Sequence, residues 1–406
     1  MHLRCRRPLL AALALVTGLV VASPAAADVA LPEGTTAPRT APVPRAEPRA
    51  TPAERALARM TLRQQVGQLF MVGTRADRID ARTRAQIRRF HVGNVMLTGR
   101  SRHGVRAPAR VARAMTAQVS PAATSRVGLF VGTDQEGGLV RVLQGPGFSR
   151  IPTALDQGRW APARLRSAAR RWARELGRVG VNLNLAPVLD TVPSRRAARH
   201  NPPIGHYDRQ FGFTPRVVAS HGLAFMRGMA RADVTAVVKH FPGLGRVRAN
   251  TDTSGNVVDH VTRRHDAFLA PFRAAVDAGA PFVMMSTARY THLDPARPAA
   301  FSPYVVGTML RGDLGFDGVV ISDDLAHARQ VAGIAPAQRA LRFIAAGGDM
   351  VLTVDAAPLP AMYGAVLSRA RDRTGFRTLV RDAALRVLTA KQERGLLPKP
   401  LGTVGP

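Results

Sequence analysis

Val234-Thr235-Ala236-Val237-Val238-Lys239-His240-Phe241-Pro242-Gly243-Leu244-Gly245 passes from a β-branched apolar run to a lysine and a histidine, then to proline and glycine. A short run that is apolar on both faces reads as a strand buried on both sides. Lys239 and His240 therefore stand at a strand's carboxyl end. Pro242, Gly243 and Gly245 forbid simple continuation as helix or strand, so the chain leaves as an irregular loop carrying Asn250, Thr251 and Asp252. A polar loop anchored on a buried strand is a platform for chemistry. The competing reading is a surface loop with solvated Lys and His. Against it, Lys239 is one of only three lysines in an arginine-rich chain and directly follows an apolar strand.

Outward from this strand, short apolar runs alternate with helical periodicity. The spacing predicts strands at Val66–Val72, Gly93–Leu97, Leu129–Thr133, Val181–Leu185, Thr235–Val238, Phe282–Ser286, Gly318–Ile321 and Met350–Thr353. Helices are predicted between them, among them Asp80–Phe90, Ala161–Val179, Pro215–Arg231, Thr262–Ala278 and Tyr304–Arg311. A last pair, Leu359–Arg371 and Phe376–Gln392, follows the eighth strand. Eight strands each followed by a helix indicate an α/β fold, a (β/α)8 TIM barrel forming a single catalytic domain. A doubly wound open sheet is the alternative. A barrel places function at the carboxyl ends of its strands. Asp134-Gln135-Glu136-Gly137-Gly138, Pro187-Val188-Leu189-Asp190, Lys239-His240, Ser286-Thr287 and Ser322-Asp323-Asp324 all fall there.

With 46% hydrophobic residues over 406, the chain can bury a large core. Residues 1–27 run from Arg4, Arg6 and Arg7 through the apolar Leu9–Val21 to Ala25-Ala26-Ala27, the order of an export signal, with a membrane anchor as the competing reading. Arg6-Arg7 leaves the general and the twin-arginine routes open. Residues 28–52 are Pro-rich and read as a disordered tether. The barrel is expected over 53–395, followed by a tail over 396–406. Cys5, the only cysteine, precedes the apolar run, so it is not a lipid-accepting cysteine, and the mature chain has no disulfide, thiolate metal site or cysteine nucleophile. A secreted or envelope-associated location is expected.

Net charge is +31, and removing the leader's three arginines leaves +28. Such a surface favours polyanions. The arginines are spread over the whole chain, aromatics are 5%, and no nucleic-acid-reading motif is present, so an anionic envelope polymer is the expected partner rather than a specific nucleic acid. Compositional bias toward Arg and Ala is the equal alternative.

Asp323 ends the run Gly318-Val319-Val320-Ile321-Ser322, which points its carboxylate into a barrel mouth, where a nucleophile for glycosyl transfer belongs. Asp324 reads as the N-cap of the following helix. Asp134 ends the third strand and is placed to accept sugar hydroxyls, or else to stabilise a turn. Ile204-Gly205-His206-Tyr207-Asp208-Arg209-Gln210-Phe211-Gly212 lies in a long insertion after the fourth strand. No nucleophile elbow, phosphate-binding glycine loop or metal-ligand spacing occurs. Asp349, before the eighth strand, is at the opposite rim and structural.

Asp134-Gln135-Glu136-Gly137-Gly138, Lys239-His240-Phe241-Pro242-Gly243 and Gly315-Phe316-Asp317-Gly318-Val319-Val320-Ile321-Ser322-Asp323-Asp324-Leu325 resemble the three signature segments of glycoside hydrolase family 3. The likeness is greatest to its single-barrel β-N-acetylhexosaminidase branch and spans about residues 55–395, in order and spacing. The resemblance implies Asp323 as nucleophile, with Asp134, Arg209, Lys239 and His240 holding a terminal N-acetylglucosamine. It implies no metal or organic cofactor, and a monomer. The chain departs from the pattern twice. A second arginine expected eight positions after Asp134 is Val142, with Arg141 beside it. The loop histidine that serves as acid/base is also missing. Counted without a gap, the family's Asp-Ser-His becomes Asn250-Thr251-Asp252. Asp252 is favoured as acid/base because a carboxylic acid partly withdrawn from water can donate a proton. Ser254 and His260 remain alternatives. The resemblance thus implies an exported retaining exo-β-N-acetylglucosaminidase acting on peptidoglycan fragments or related glycans. A β-glucosidase of the same family and a non-catalytic sugar-binding envelope protein are the other readings.

Overall fold

The computed structural model describes residues 50–398. The leader at 1–27, nearly all of the tether and most of the tail lie outside the described residues. Eight strands form one parallel sheet: β1 Phe70–Arg75, β2 Asn94–Thr98, β3 Phe130–Thr133, β4 Leu183–Asn184, β5 Thr235–Phe241, β6 Phe282–Met285, β7 Val319–Ser322 and β8 Val351–Thr353. Their spatial order is β7-β6-β5-β4-β3-β2-β1-β8, and a parallel bridge from Ile321 to Met350 closes the ring. This is a (β/α)8 barrel.

Alternation along each strand separates two apolar compartments. Met71, Met96, Phe130, Val237, Met284 and Ile321 point inward and fill the barrel, with Phe130 and Phe282 meeting edge to face at 5.4 Å. The neighbouring side chains, such as Val72, Val95, Val131, Val238 and Val320, face the helices. Burying a side chain of this size contributes roughly 1.5–3 kcal/mol, so both compartments hold the rim's scaffold rigid.

The last helix, Thr374–Glu393, plugs the amino-terminal end of the barrel with Val387 and Ala390. Beside them Lys391 is fully buried, its Nζ donating to Gln68 Oε1 at 2.7 Å and to the Gly93 carbonyl at 2.8 Å. Burial alone pushes its pKa well below the ordinary lysine value. Leu396 continues this plug, packing on the barrel interior while its carbonyl accepts the Gly128 N–H at 2.7 Å. The fold thus runs past residue 395, where the sequence reading began the tail.

Three local expectations change. Val66–Val72, expected as a strand, splits into the helix Leu62–Gln68 and β1, because Thr61 and Gln64 form a capping box that starts a helix there. The helix expected over Thr262–Ala278 is confined to Ala270–Asp277, since Asp259 ties the N–H groups of Val261 and Thr262 into a turn. Tyr304–Asp313 is a π-helix rather than an α-helix.

Candidate active site

β5 delivers Lys239 and His240, both buried, to the carboxyl-terminal rim. The Lys239–His240 and Phe241–Pro242 peptides are cis. An unpaired ammonium at that depth would be strongly disfavoured. Lys239 Nζ instead meets Glu136 Oε1 at 2.6 Å and Asp134 Oδ1 at 2.8 Å. Burial acts to strip its proton, but the two carboxylates outweigh burial and its pKa is raised. One of its three N–H donors is left for the cleft.

Glu136 ties this lysine to Arg209. Arg209 donates from Nε to Oε2 at 2.9 Å and from Nη2 to Oε1 at 2.8 Å, and its Nη1 reaches the Pro203 carbonyl at 2.7 Å. Burial opposes the charge on Glu136, yet Arg209 and Lys239 together hold its carboxyl at about 2. Two guanidinium N–H groups remain for a ligand. The Asp-Gln-Glu-Gly-Gly turn needs its first glycine, because Gly137 has φ 130° and a Cβ there would lie 2.0 Å from the Pro152 carbonyl oxygen.

His240 is set by Asp190. The imidazole Nδ1 donates to Asp190 Oδ2 at 2.7 Å, and Asp190 Oδ1 accepts the backbone N–H of His240 at 3.2 Å and of Leu244 at 2.8 Å. One fully buried carboxylate thereby fixes the ring tautomer and the start of the following loop.

That loop turns on Asn250, whose Oδ1 accepts the Asp252 N–H at 2.9 Å. It is stitched to the segment after β7: Arg329 N–H reaches the Asp252 carbonyl and Gln330 N–H the Thr251 carbonyl, at 3.2 and 3.0 Å. The Gln330 side chain adds two bonds to the backbone of Val257. Asp323 follows β7 directly, and its Oδ1 accepts the Asp324 N–H at 2.8 Å. Asp252 lines the cleft and keeps exposed surface, but its carboxyl is set among enough protein atoms to be partly desolvated. That withdrawal from water, reinforced by the Asp323 carboxylate, raises its pKa to about 6 against the pull of Arg209 and His240.

Asp134, Arg209, Lys239, His240, Asp252 and Asp323 line one cleft of about 510 Å³ at the carboxyl ends of the strands. Ser254, His260, Ser286, Thr287 and Ser322 do not. Ser286 and Ser322 are buried and bind Tyr290 and Leu352. Asp324 caps the turn at Ala326 and His327 and holds Val354 N–H; the helix it was expected to cap begins only at Pro336. Asp349 binds Arg311, Arg386 and the Val320 N–H at the far rim. Among the described residues no group of three or more His, Cys, Asp or Glu is placed to hold a metal ion.

The sequence reading assigned no role to Glu136, Asp190 or Arg100. Glu136 sat inside a quoted motif and Asp190 on the expected rim, so both had a positional signal. Arg100, which enters the cleft from the β2 loop while Arg141 stays outside, had none.

The family model "Glycosyl hydrolase family 3 N terminal domain" matches residues 61–390. The chain belongs to glycoside hydrolase family 3. A beta-hexosaminidase of Xanthomonas campestris pv. campestris is 33% identical over 348 residues, covering 79% of this chain and 98% of that one. A solved structure of a beta-N-acetylhexosaminidase from Beutenbergia cavernae DSM 12333 is 54% identical with a TM-score of 0.80, covering 82% of this chain and 99% of that one. A glycoside hydrolase family 3 beta-N-acetylglucosaminidase from Paenibacillus sp. is 29% identical with a TM-score of 0.76, covering 85% of this chain and 65% of its own.

Proposed function

We propose that the protein is a retaining exo-β-N-acetylglucosaminidase, exported to the cell envelope and acting on peptidoglycan fragments or related glycans. The observation that carries this is a pair of carboxyl groups in one cleft with opposed tasks. Asp323 is fixed at a strand end, and Asp252 is tuned to remain a proton donor into mildly acidic solution. Relatives named beta-hexosaminidase and beta-N-acetylhexosaminidase support the sugar assignment.

In this reading Lys239, Arg209, Asp134 and His240 hold the hydroxyls of the terminal sugar with the donors and acceptors their ion pairs leave free. Asp323 attacks the anomeric carbon while Asp252 protonates the departing oxygen, giving a glycosyl-enzyme and a free aglycone. Asp252, now ionised, takes a proton from water as its oxygen attacks the same carbon, and Asp323 departs as carboxylate. No step needs a cofactor.

The test is to assay the mature chain on nitrophenyl N-acetylglucosaminide and glucoside in parallel. Preference for the first is expected, and Asp323→Asn should reduce turnover by several powers of ten with the fold intact. Preference for the glucoside would replace the sugar assignment. Sugar binding with no cleavage of either would make the protein a binder and Asp323 a hydroxyl contact.

A further inference from the structure

The catalytic cleft does not end at Asp134. A second cavity of about 340 Å³ shares Asp134, Met96, Arg100 and Leu139 with it and continues to Arg141. A third, of about 450 Å³, carries on past Leu139 and Arg141 to Arg150. Together they make a groove leading out of the cleft over Leu139, an apolar side chain left 62% exposed.

Two of the groove's arginines are held in place by the same turn. Arg100 Nη1 donates to the Leu139 carbonyl at 3.1 Å, and Arg141 Nε to the Gly138 carbonyl at 2.9 Å. Each keeps four further N–H groups. No carboxylate pairs with Arg100, Arg141 or Arg150 among the described residues, and the groove's outer acid, Asp156, is engaged by Thr153 and Arg159. The three cations also feel one another: Arg141 has its pKa lowered by burial, then by Arg150 and Arg100. An anion in the groove would relieve this repulsion.

The groove lies on the sugar side of the scissile bond. A leaving group has to sit beside the acid, and Asp252, which answers to Asp323, Arg209, His240 and Asp324, does not line the second or third cavity. Asp134, the hydroxyl acceptor held by Lys239, does line the second. We infer that the groove receives an anionic substituent on the terminal sugar itself, a phosphoryl or carboxyl-bearing group on a ring or primary hydroxyl, with Arg100 and Arg141 as its recognition pair. This rests on the glycosidase reading given above and adds a substrate class to it.

Nitrophenyl N-acetylglucosaminides carrying phosphate, a carboxymethyl ether or a neutral methyl ether at O4 or at O6 share one leaving group and isolate this side of the cleft. For at least one position, kcat/KM for the anionic form should exceed that of its methyl ether by roughly five- to twentyfold, as one charge-assisted hydrogen bond at a half-exposed site implies. Comparison of phosphate with carboxymethyl separates the two anion sources. The ratio should fall toward one in Arg141→Ser and in Arg100→Ser, and at high salt. Methyl ethers cleaved as well as or better than both anionic forms at both positions would overturn the inference, as would a ratio unmoved by either substitution. Loss of all cleavage, including the unsubstituted glycoside in the parent enzyme, would instead overturn the glycosidase reading.

Discussion

In the proposed mechanism, catalysis turns on Asp252. With a pKa near 6 it holds its proton below that pH and loses it as pH rises through that value. For an N-acetylglucosaminyl disaccharide, whose leaving oxygen needs protonation, kcat/KM should therefore fall above about pH 6, and for an activated aryl glycoside it should fall far less. Asp252→Ala should lower disaccharide cleavage by about 10²–10⁴-fold and leave a burst of aryl alcohol followed by slow turnover, which azide restores by attacking the glycosyl-enzyme. Ser254→Ala should do little. A crippling effect of Ser254→Ala with a mild one of Asp252→Ala would move the role. That Asp134, Lys239, His240 and Asp323 would meet in one cleft was legible because strand ends concentrate polar groups, and a run such as Val319-Val320-Ile321-Ser322 shows where one ends. Arg100 was not, because a single arginine in an arginine-rich chain carries no pattern and only tertiary contact brings it to the cleft.

The Asp-Gln-Glu-Gly-Gly turn and the loop after β5 are the elements that hold the site. Glu136 is a nearly inaccessible carboxylate between two cations, so Glu136→Gln leaves Arg209 and Lys239 underpaired and should cost about 3–5 kcal/mol of stability. Its folded pKa near 2 lies below the ordinary 4.5. The stabilisation is therefore complete above pH 4.5 and lost as pH falls toward 2, and thermal melts of parent and Glu136→Gln should converge over that window. The stitching of Thr251 and Asp252 to Arg329 and Gln330 spans 77 to 79 residues of sequence, and no local signal announces it. Gln330→Ala removes the side-chain clamp on Val257 and should loosen the loop, raising amide exchange at 251–257 and lowering kcat more than it raises KM. Elements with strong periodicity, such as Pro162–Arg178 and Pro215–Ala230, matched their sequence reading within a residue or two. Two of the misreadings fell where a capping box or an aspartate turn decided a boundary that hydrophobic spacing does not see; the third, Tyr304–Asp313, kept its place but took the π-helical hydrogen-bond pattern.

Across the whole molecule, the barrel has a cleft end rich in paired charges and a sealed end where, beside the paired Asp349, the buried Lys391 has no carboxylate partner among the described residues. Lys391 donates only to an amide and a carbonyl, the two hydrogen bonds a neutral amine can make. Its folded pKa is depressed, so the stability it contributes is complete only above the unfolded value near 10.5 and declines as pH falls. The parent should gain melting temperature relative to Lys391→Met between pH 8 and 10.5, and parallel curves would show that Lys391 is protonated in the fold. The same burial makes this amine a recorder of unfolding events. An acylating reagent needs an uncharged, accessible nitrogen, and Lys391 offers access only when the terminal helix comes away from the barrel floor. Once acylated, it cannot return to its two acceptors, so each opening that is caught is irreversible. In a chain with three lysines, the mass gained at that one site over time would count how often the sealed end of the barrel opens.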